Sequence, residues 1–132
     1  VGPAGGAADE GAVTPFARIL TRAVEDTPGA LGGAFAAPDG EMVDYVTAGD
    51  PMDLAILTAH YGVILCSLEA LLNTQHFGGA QHLVIENQRV AIVIHTVDAG
   101  YYALLAVPMP APLGSAIAAL RRAVVDLRRE MR

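Results

Sequence analysis

The residues of this chain that could do more than pack are four histidines, one cysteine, a carboxylate and an arginine flanking a turn, and five arginines near the C-terminus. His60, His76, His82 and His95 carry donors for zinc, but their spacing makes neither an i, i+4 pair on a helix nor a Cys/His knuckle. No metal is expected, and the histidines read as structural or surface groups. Cys66 has no partner for an intramolecular disulfide. On the small-residue face of an apolar helix it reads as a packed thiol in a reducing compartment, because a nucleophile needs an activating, partly exposed setting. No serine occupies a G-x-S-x-G turn, and no two carboxylates are placed to converge on an apolar cleft. Glu86 and Arg89 are expected to form an exposed pair. Lysine is absent, which excludes a P-loop, since that motif sets a lysine on the phosphates. Catalytic residues, metal ligands and cofactors are therefore all expected to be none, so the chain reads as a binding protein and not an enzyme.

The net charge of −6 argues against general nucleic-acid binding, which needs a basic surface to displace counterions. Nine acidic residues lie between Asp9 and Asp53 against Arg18 and Arg22, whereas the last twelve residues carry Arg121, Arg122, Arg128, Arg129 and Arg132. These five could contact a phosphate, an anionic membrane or an acidic partner, or form a solvated helix face that complements the helix dipole. A length of 132 residues fits one domain with a core large enough to need no staples. The expected division is a Gly/Ala/acid-rich flexible leader at 1–13 and a single domain at 14–132. A basic n-region followed by an apolar h-region is missing at the start, so the cytoplasm is the expected location.

The elements that position these groups follow from turn and periodicity signals. Thr14–Pro15 caps and opens a helix expected to run to about Asp26, which Thr27–Pro28–Gly29 stops. Ala30 to Ala37 reads as a strand of small residues crossed closely by helices, Pro38–Asp39–Gly40 as a turn, and Met42 to Thr47 as the returning strand. Gln81 to Glu86, Val90 to Val97 and Tyr101 to Val107 read as three further strands. The second of these is almost continuously apolar and hence internal. Leu113, Ile117, Leu120, Val124, Leu127 and Met131 stripe a final helix. The sum is an α+β fold of order α-β-β-α-β-β-β-α, a three-layer sandwich with a five-stranded antiparallel sheet, one long helix on one face and two helices on the other.

The long helix, expected over Asp53 to Asn73, is the most informative element. At about 100° per residue, Leu54, Leu57, Tyr61, Ile64, Leu65, Leu68, Leu71 and Leu72 share one arc, suited to covering a sheet. Ala55, Ala59, Gly62, Val63, Cys66 and Ala70 share another, with Ile56 at its edge. Thin polar seams divide the arcs, Thr58 and Glu69 on one side and His60 and Ser67 on the other. Small residues let another helix axis come close, and the expected occupant of that face is the same helix of a second copy. One alternative is burial of the whole helix within a monomer, for which a single domain seldom has the material; another is a membrane span, but His60 and Glu69 lie inside the stretch and Asp50 and Asp53 flank its start. No transmembrane segment is expected.

In its order and turns the chain resembles the Roadblock/dynein-light-chain superfamily, particularly bacterial MglB-type regulators of small Ras-like GTPases. The likeness rests on Thr27–Pro28–Gly29–Ala30, Pro38–Asp39–Gly40, His76–Phe77–Gly78–Gly79, Leu83–Val84–Ile85–Glu86, Gly100–Tyr101–Tyr102–Ala103–Leu104–Leu105 and Leu113–Gly114, from about Phe16 to Met131. The resemblance implies a homodimer, or a heterodimer with a paralogue, whose third strands pair while the long helices pack side by side, and a helical layer that receives the GTPase. Such proteins have no active site of their own; they act on residues that the GTPase supplies. Dimer contacts are expected at Ala55, Ala59, Gly62, Val63, Cys66, Ala70, Gln81, Leu83 and Ile85, and partner contacts at Asp50, Asp53, Thr58, His60 and Ser67. The competing readings are a structural adaptor without a GTPase and a small-ligand sensory domain, which would need polar groups pointing into the core.

Overall fold

The computed structural model describes residues 13–132, and the expected leader, apart from Val13, lies outside the described residues. The elements are α1 (Pro15–Glu25), β1 (Gly32–Ala36), β2 (Met42–Thr47), α2 (Pro51–Thr74), β3 (His82–Glu86), β4 (Val90–Thr96), β5 (Tyr102–Pro108) and α3 (Leu113–Glu130). Their order is the expected one. Thr14 accepts a hydrogen bond from the Ala17 N–H at 3.0 Å, with Pro15 in the first turn, so the first orphan donors of α1 are met by the cap. The same hydroxyl donates to the Asp44 carboxylate on β2, which ties the helix start to the sheet. Asp50 caps α2 in the same way, accepting from Met52 N–H at 2.9 Å. This cap starts α2 at Pro51, two residues before the expected Asp53.

The five strands run in the order β2-β1-β5-β4-β3, antiparallel throughout. Strands with both faces covered read as near-continuous apolar runs, as β4 and β5 do. On one face, α1 and α3 pack Leu20, Leu120, Val124 and Leu127 against Phe35, Val93, Leu105 and Val107. Phe35 lies between the rings of Phe16 and Tyr101, with centroids 5.0 and 5.6 Å away. On the other face, Leu54 and Leu65 of α2 cover Ala34, Ala36, Ile92, Ile94, Tyr102 and Leu104. β1 thus alternates, with alanines under α2 and Phe35 under the helix pair. At Gly40 (φ +88°) a Cβ would sit 3.3 Å from the Ala59 Cα, so the β1–β2 turn can reach α2 only as glycine. The sheet therefore ends in two edges, β2, which α1 and α2 flank, and β3.

Candidate functional site

α2 rests on the sheet by one narrow stripe, in which Leu54, Thr58 and Leu65 are buried. The Tyr102 hydroxyl donates to the Thr58 carbonyl at 2.8 Å, and the Asn87 side chain donates to the Tyr61 hydroxyl at 3.2 Å. These two bonds fix the rotation of the helix, and with it the assignment of every face. By length and composition α2 would also suffice to cross a membrane.

The opposite face is apolar and open. Met52, Ile56, Val63 and Leu71 are 63, 50, 65 and 56 % exposed, and Phe77, on the loop after the helix, is 74 % exposed. His60, Ser67 and Ala70 are exposed within the same stripe, and Asp50 and Asp53 are exposed at its start. The Phe77 loop is anchored, since Glu69 accepts the Ala80 N–H at 3.1 Å and the left-handed His76 and Gly78 shape the turn. Contiguous apolar surface rimmed by polar residues is the usual mark of a docking face.

Several expectations about α2 are corrected by this rotation. Thr58 is not on an exposed seam; it is fully buried, and its hydroxyl has no hydrogen-bond partner. Gly62 is not free for a neighbouring helix, because a Cβ there would overlap the Tyr102 hydroxyl. Ala59 is likewise occupied, by Gly40 of the β1–β2 turn. Ala59 and Gly62 of that arc therefore serve packing within the chain, while Cys66, expected as a packed thiol, is exposed. Conversely, Ile64 and Leu71, expected on the sheet, are 44 and 56 % exposed. At about 100° per residue they lie on the flank that Leu57 and Tyr61 turn toward β3 and its turn. Val63, Cys66 and Ala70 are exposed and Ala55 is half-buried.

β3 leaves its outer side unpaired. Thr96 N–H donates to Gln81 O at 2.9 Å and Asn87 N–H donates to Val90 O at 3.0 Å. Because antiparallel partners alternate, Gln81, Leu83 and Ile85 turn their backbone groups to β4, while His82, Val84 and Glu86 present theirs at the free edge. Leu83 packs in the core under α2, and Val84 touches the core under α3. The expected edge contacts thus shift by one residue as far as backbone pairing is concerned.

The histidines divide as their surroundings dictate. His95 is buried, donates Nδ1–H to the Thr96 carbonyl at 2.8 Å, and faces His82 across the β3–β4 register at a ring-centroid distance of 6.0 Å. Burial, aided by the charges of His82, Arg128 and Arg121, lowers its pKa below the ordinary value, against the opposing Thr96 bond. No group of three or more metal-ligating side chains occurs among the described residues. Met52, Ile56, Phe77 and Glu69 are the surface and anchoring residues that sequence reasoning did not assign. The exposed Phe77 between a helix end and Gly78–Gly79 was their clearest signal.

No protein-family model matches the chain, and no curated protein matches it. Among solved structures the chain is similar to a gliding protein MglB from Thermus thermophilus, at 19 % identity over 87 % of both chains with a TM-score of 0.78. It is similar to a Roadblock/LC7 domain from Streptomyces avermitilis, at 13 % identity over 86 % of this chain and 95 % of that one, TM-score 0.79. Myxococcus xanthus MglB gives a TM-score of 0.81 at 12 % identity over 89 % of this chain and 95 % of that one. At these identities what is shared is the fold. The chain has the Roadblock/LC7 fold in its MglB-like form.

Proposed function

We propose that this chain is a non-catalytic dimeric regulator or scaffold that binds a small Ras-like GTPase and modulates its nucleotide cycle in the cytoplasm. The observation that carries this reading is the open apolar face of α2 beside the unpaired edge of β3. Each large side chain on that face, half or more in water, forgoes about half of the roughly 1.5–3 kcal/mol that full burial brings, and an uncovered edge strand invites pairing. Two copies joined at His82, Val84 and Glu86 would extend the sheet across the dimer. Their α2 flanks, with Ile64 and Leu71, would meet above the joint. The dimer would leave Met52, Ile56, His60, Val63 and Ser67, with Asp50 and Asp53 at the start of the helix, as a two-fold apolar platform with polar punctuation. That platform suits a globular partner.

The choice of a GTPase as that partner rests on the resemblance of the sequence motifs to MglB-type regulators, and an MglB neighbour described as having a tetrameric arrangement is in keeping with self-association. The sequence has no lysine and hence no P-loop, so in this reading the nucleotide belongs to the partner. Light scattering at micromolar concentration tests the dimer, and affinity capture with the tagged chain, followed by identification of any P-loop GTPase retained, tests the partner. A dimer that retains no GTPase would favour the structural adaptor; a monomer would overturn both readings.

A further inference from the structure

Of the two sheet edges, β2 closes itself and β3 stays open. Ala48 N–H donates to Leu31 O at 3.1 Å, so by the alternation of antiparallel partners the Tyr45 N–H turns outward. The Asp44 carboxylate accepts that N–H at 2.9 Å and takes the Thr14 hydroxyl as well. On β3 the outward set is His82, Val84 and Glu86, of which His82 and Glu86 are exposed and Val84 is half-buried. The expected pair of Glu86 with Arg89 is not formed, since the ion pairs among the described residues are Arg122–Asp26 and Arg129–Asp126. The two ends of this edge differ in charge. At one end His82 faces His95, Arg128 of α3 is held by its 2.6 Å bond to the Val97 carbonyl, and the charges of Arg121 and Arg128 act on the His95 ring. At the other end stands the carboxylate of Glu86.

We propose that two copies pair their β3 edges antiparallel about Val84, setting His82 of each copy opposite the partner's Glu86, so that the edge selects a second copy of this chain. The proposal rests on the edge-joined dimer above and adds its register and its charge code. A two-fold interface makes every contact twice with the residues exchanged. With His82, Val84 and Glu86 facing outward, the axis can pass through Leu83, Val84 or Ile85. An axis at Leu83 sets His82 against the partner's Val84 and Glu86 against the partner's Ala80. An axis at Ile85 sets Glu86 against the partner's Val84 and His82 against the partner's Gln88. Only the axis at Val84 pairs all five residues of β3 and answers both charges. There Leu83 meets the partner's Ile85 on the α2 side, while on the α3 side Val84 meets the partner's Val84 between the two charged ends. An imidazole can donate an N–H to a carboxylate whether neutral or charged, and its charge strengthens the bond. Arg121 and Arg128 add attraction for the partner's Glu86 at the same corner. A foreign strand would fit as well only if it carried this order of charges reversed, which the chain supplies by its own rotation.

The test is sedimentation velocity of the full chain at about pH 6, where ordinary imidazoles are mostly charged. Glu86→Lys puts like charges face to face at both ends, and His82→Glu does so with the opposite sign, so each should weaken self-association by about tenfold or more. Mixed in equal amounts, these two variants should form a heterodimer, because each supplies the charges that the other lacks. The double variant His82→Glu/Glu86→Lys should self-associate within about threefold of the wild type. Arg89→Gln, at the β3–β4 turn, should leave the dimer unchanged, and circular dichroism confirms that each variant is folded. A wild type that is dimeric but indifferent to both single substitutions, or a mixture that forms no heterodimer, would overturn the pairing about Val84 and leave the dimer standing. A monomeric wild type would overturn the dimer and this pairing together.

Discussion

Gly62 on α2 lies directly over the hydroxyl of Tyr102 on β5, so closely that a Cβ at position 62 would overlap the hydroxyl oxygen. That hydroxyl is held in place by its 2.8 Å bond to the Thr58 carbonyl. Together the two contacts seat the helix on the sheet. They also set which side chains of α2 are left facing outward.

Replacing Gly62 by alanine should therefore destabilise the chain by about 1–3 kcal/mol, the usual cost of overpacking. In urea denaturation the cost should shrink when Tyr102→Phe is added, because removing the hydroxyl removes the nearest clash. Additive effects would contradict the contact.

Thr58→Val is expected to leave stability unchanged or raise it by about 1 kcal/mol, since the buried hydroxyl has no partner and its desolvation is uncompensated. Thermal unfolding checks this. A loss above about 1 kcal/mol would mean the hydroxyl is satisfied by a group such as a bound water.

Most of the fold was legible because its signals are local: Thr14–Pro15 begins a helix, Pro38–Asp39–Gly40 turns the chain, and β2 begins and ends at the expected residues. The face assignment of α2 was only half legible. Its residues are apolar almost all round, so periodicity could place the large-residue arc on the sheet, where Leu54, Leu57, Tyr61 and Leu65 lie, but not say how far the helix is turned, which brings Thr58 under and leaves Ile64 and Leu71 out. The answer lay in two long-range contacts, Gly40 on Ala59 and Tyr102 under Gly62, and neither is visible from spacing within a helix. The alternation along β3 could be read in sequence, but which parity faced β4 required the Thr96–Gln81 hydrogen bond.

That parity gives a sharp test of the proposed edge pairing. Proline at Val84 removes an N–H that faces outward, which a sheet edge tolerates, so Val84→Pro should yield a folded monomer by light scattering. Ile85→Pro removes an N–H that β4 uses and should unfold or strongly destabilise the chain, by about 3 kcal/mol or more if the loss resembles a helix interior. A dimeric Val84→Pro would place the interface elsewhere.

His95 predicts an acid sensitivity. Its folded pKa lies below the ordinary value of 6.5 because the ring is buried. As pH falls below about 6.5 the unfolded chain takes up a proton that the folded chain resists, so unfolding gains. The contribution is complete above the unfolded pKa, is lost as pH falls toward the folded pKa, and levels off below it. Melting temperature between pH 7 and 5 should fall more for the wild type than for His95→Gln, and parallel curves would contradict the assignment.

The proposed function requires the open face of α2 to bind a Ras-like GTPase in a nucleotide-dependent way, which titration calorimetry of the chain against that GTPase, loaded with a GTP analogue or with GDP, measures. Tighter binding of the GTP state is expected, weakened by about 2 kcal/mol or more in Ile56→Asp or His60→Glu, as at interface hot spots, with the oligomeric state unchanged in both variants. Equal affinity for the two nucleotide states, or binding that neither substitution disturbs, would contradict it, because a protein that does not discriminate between two states cannot shift their balance.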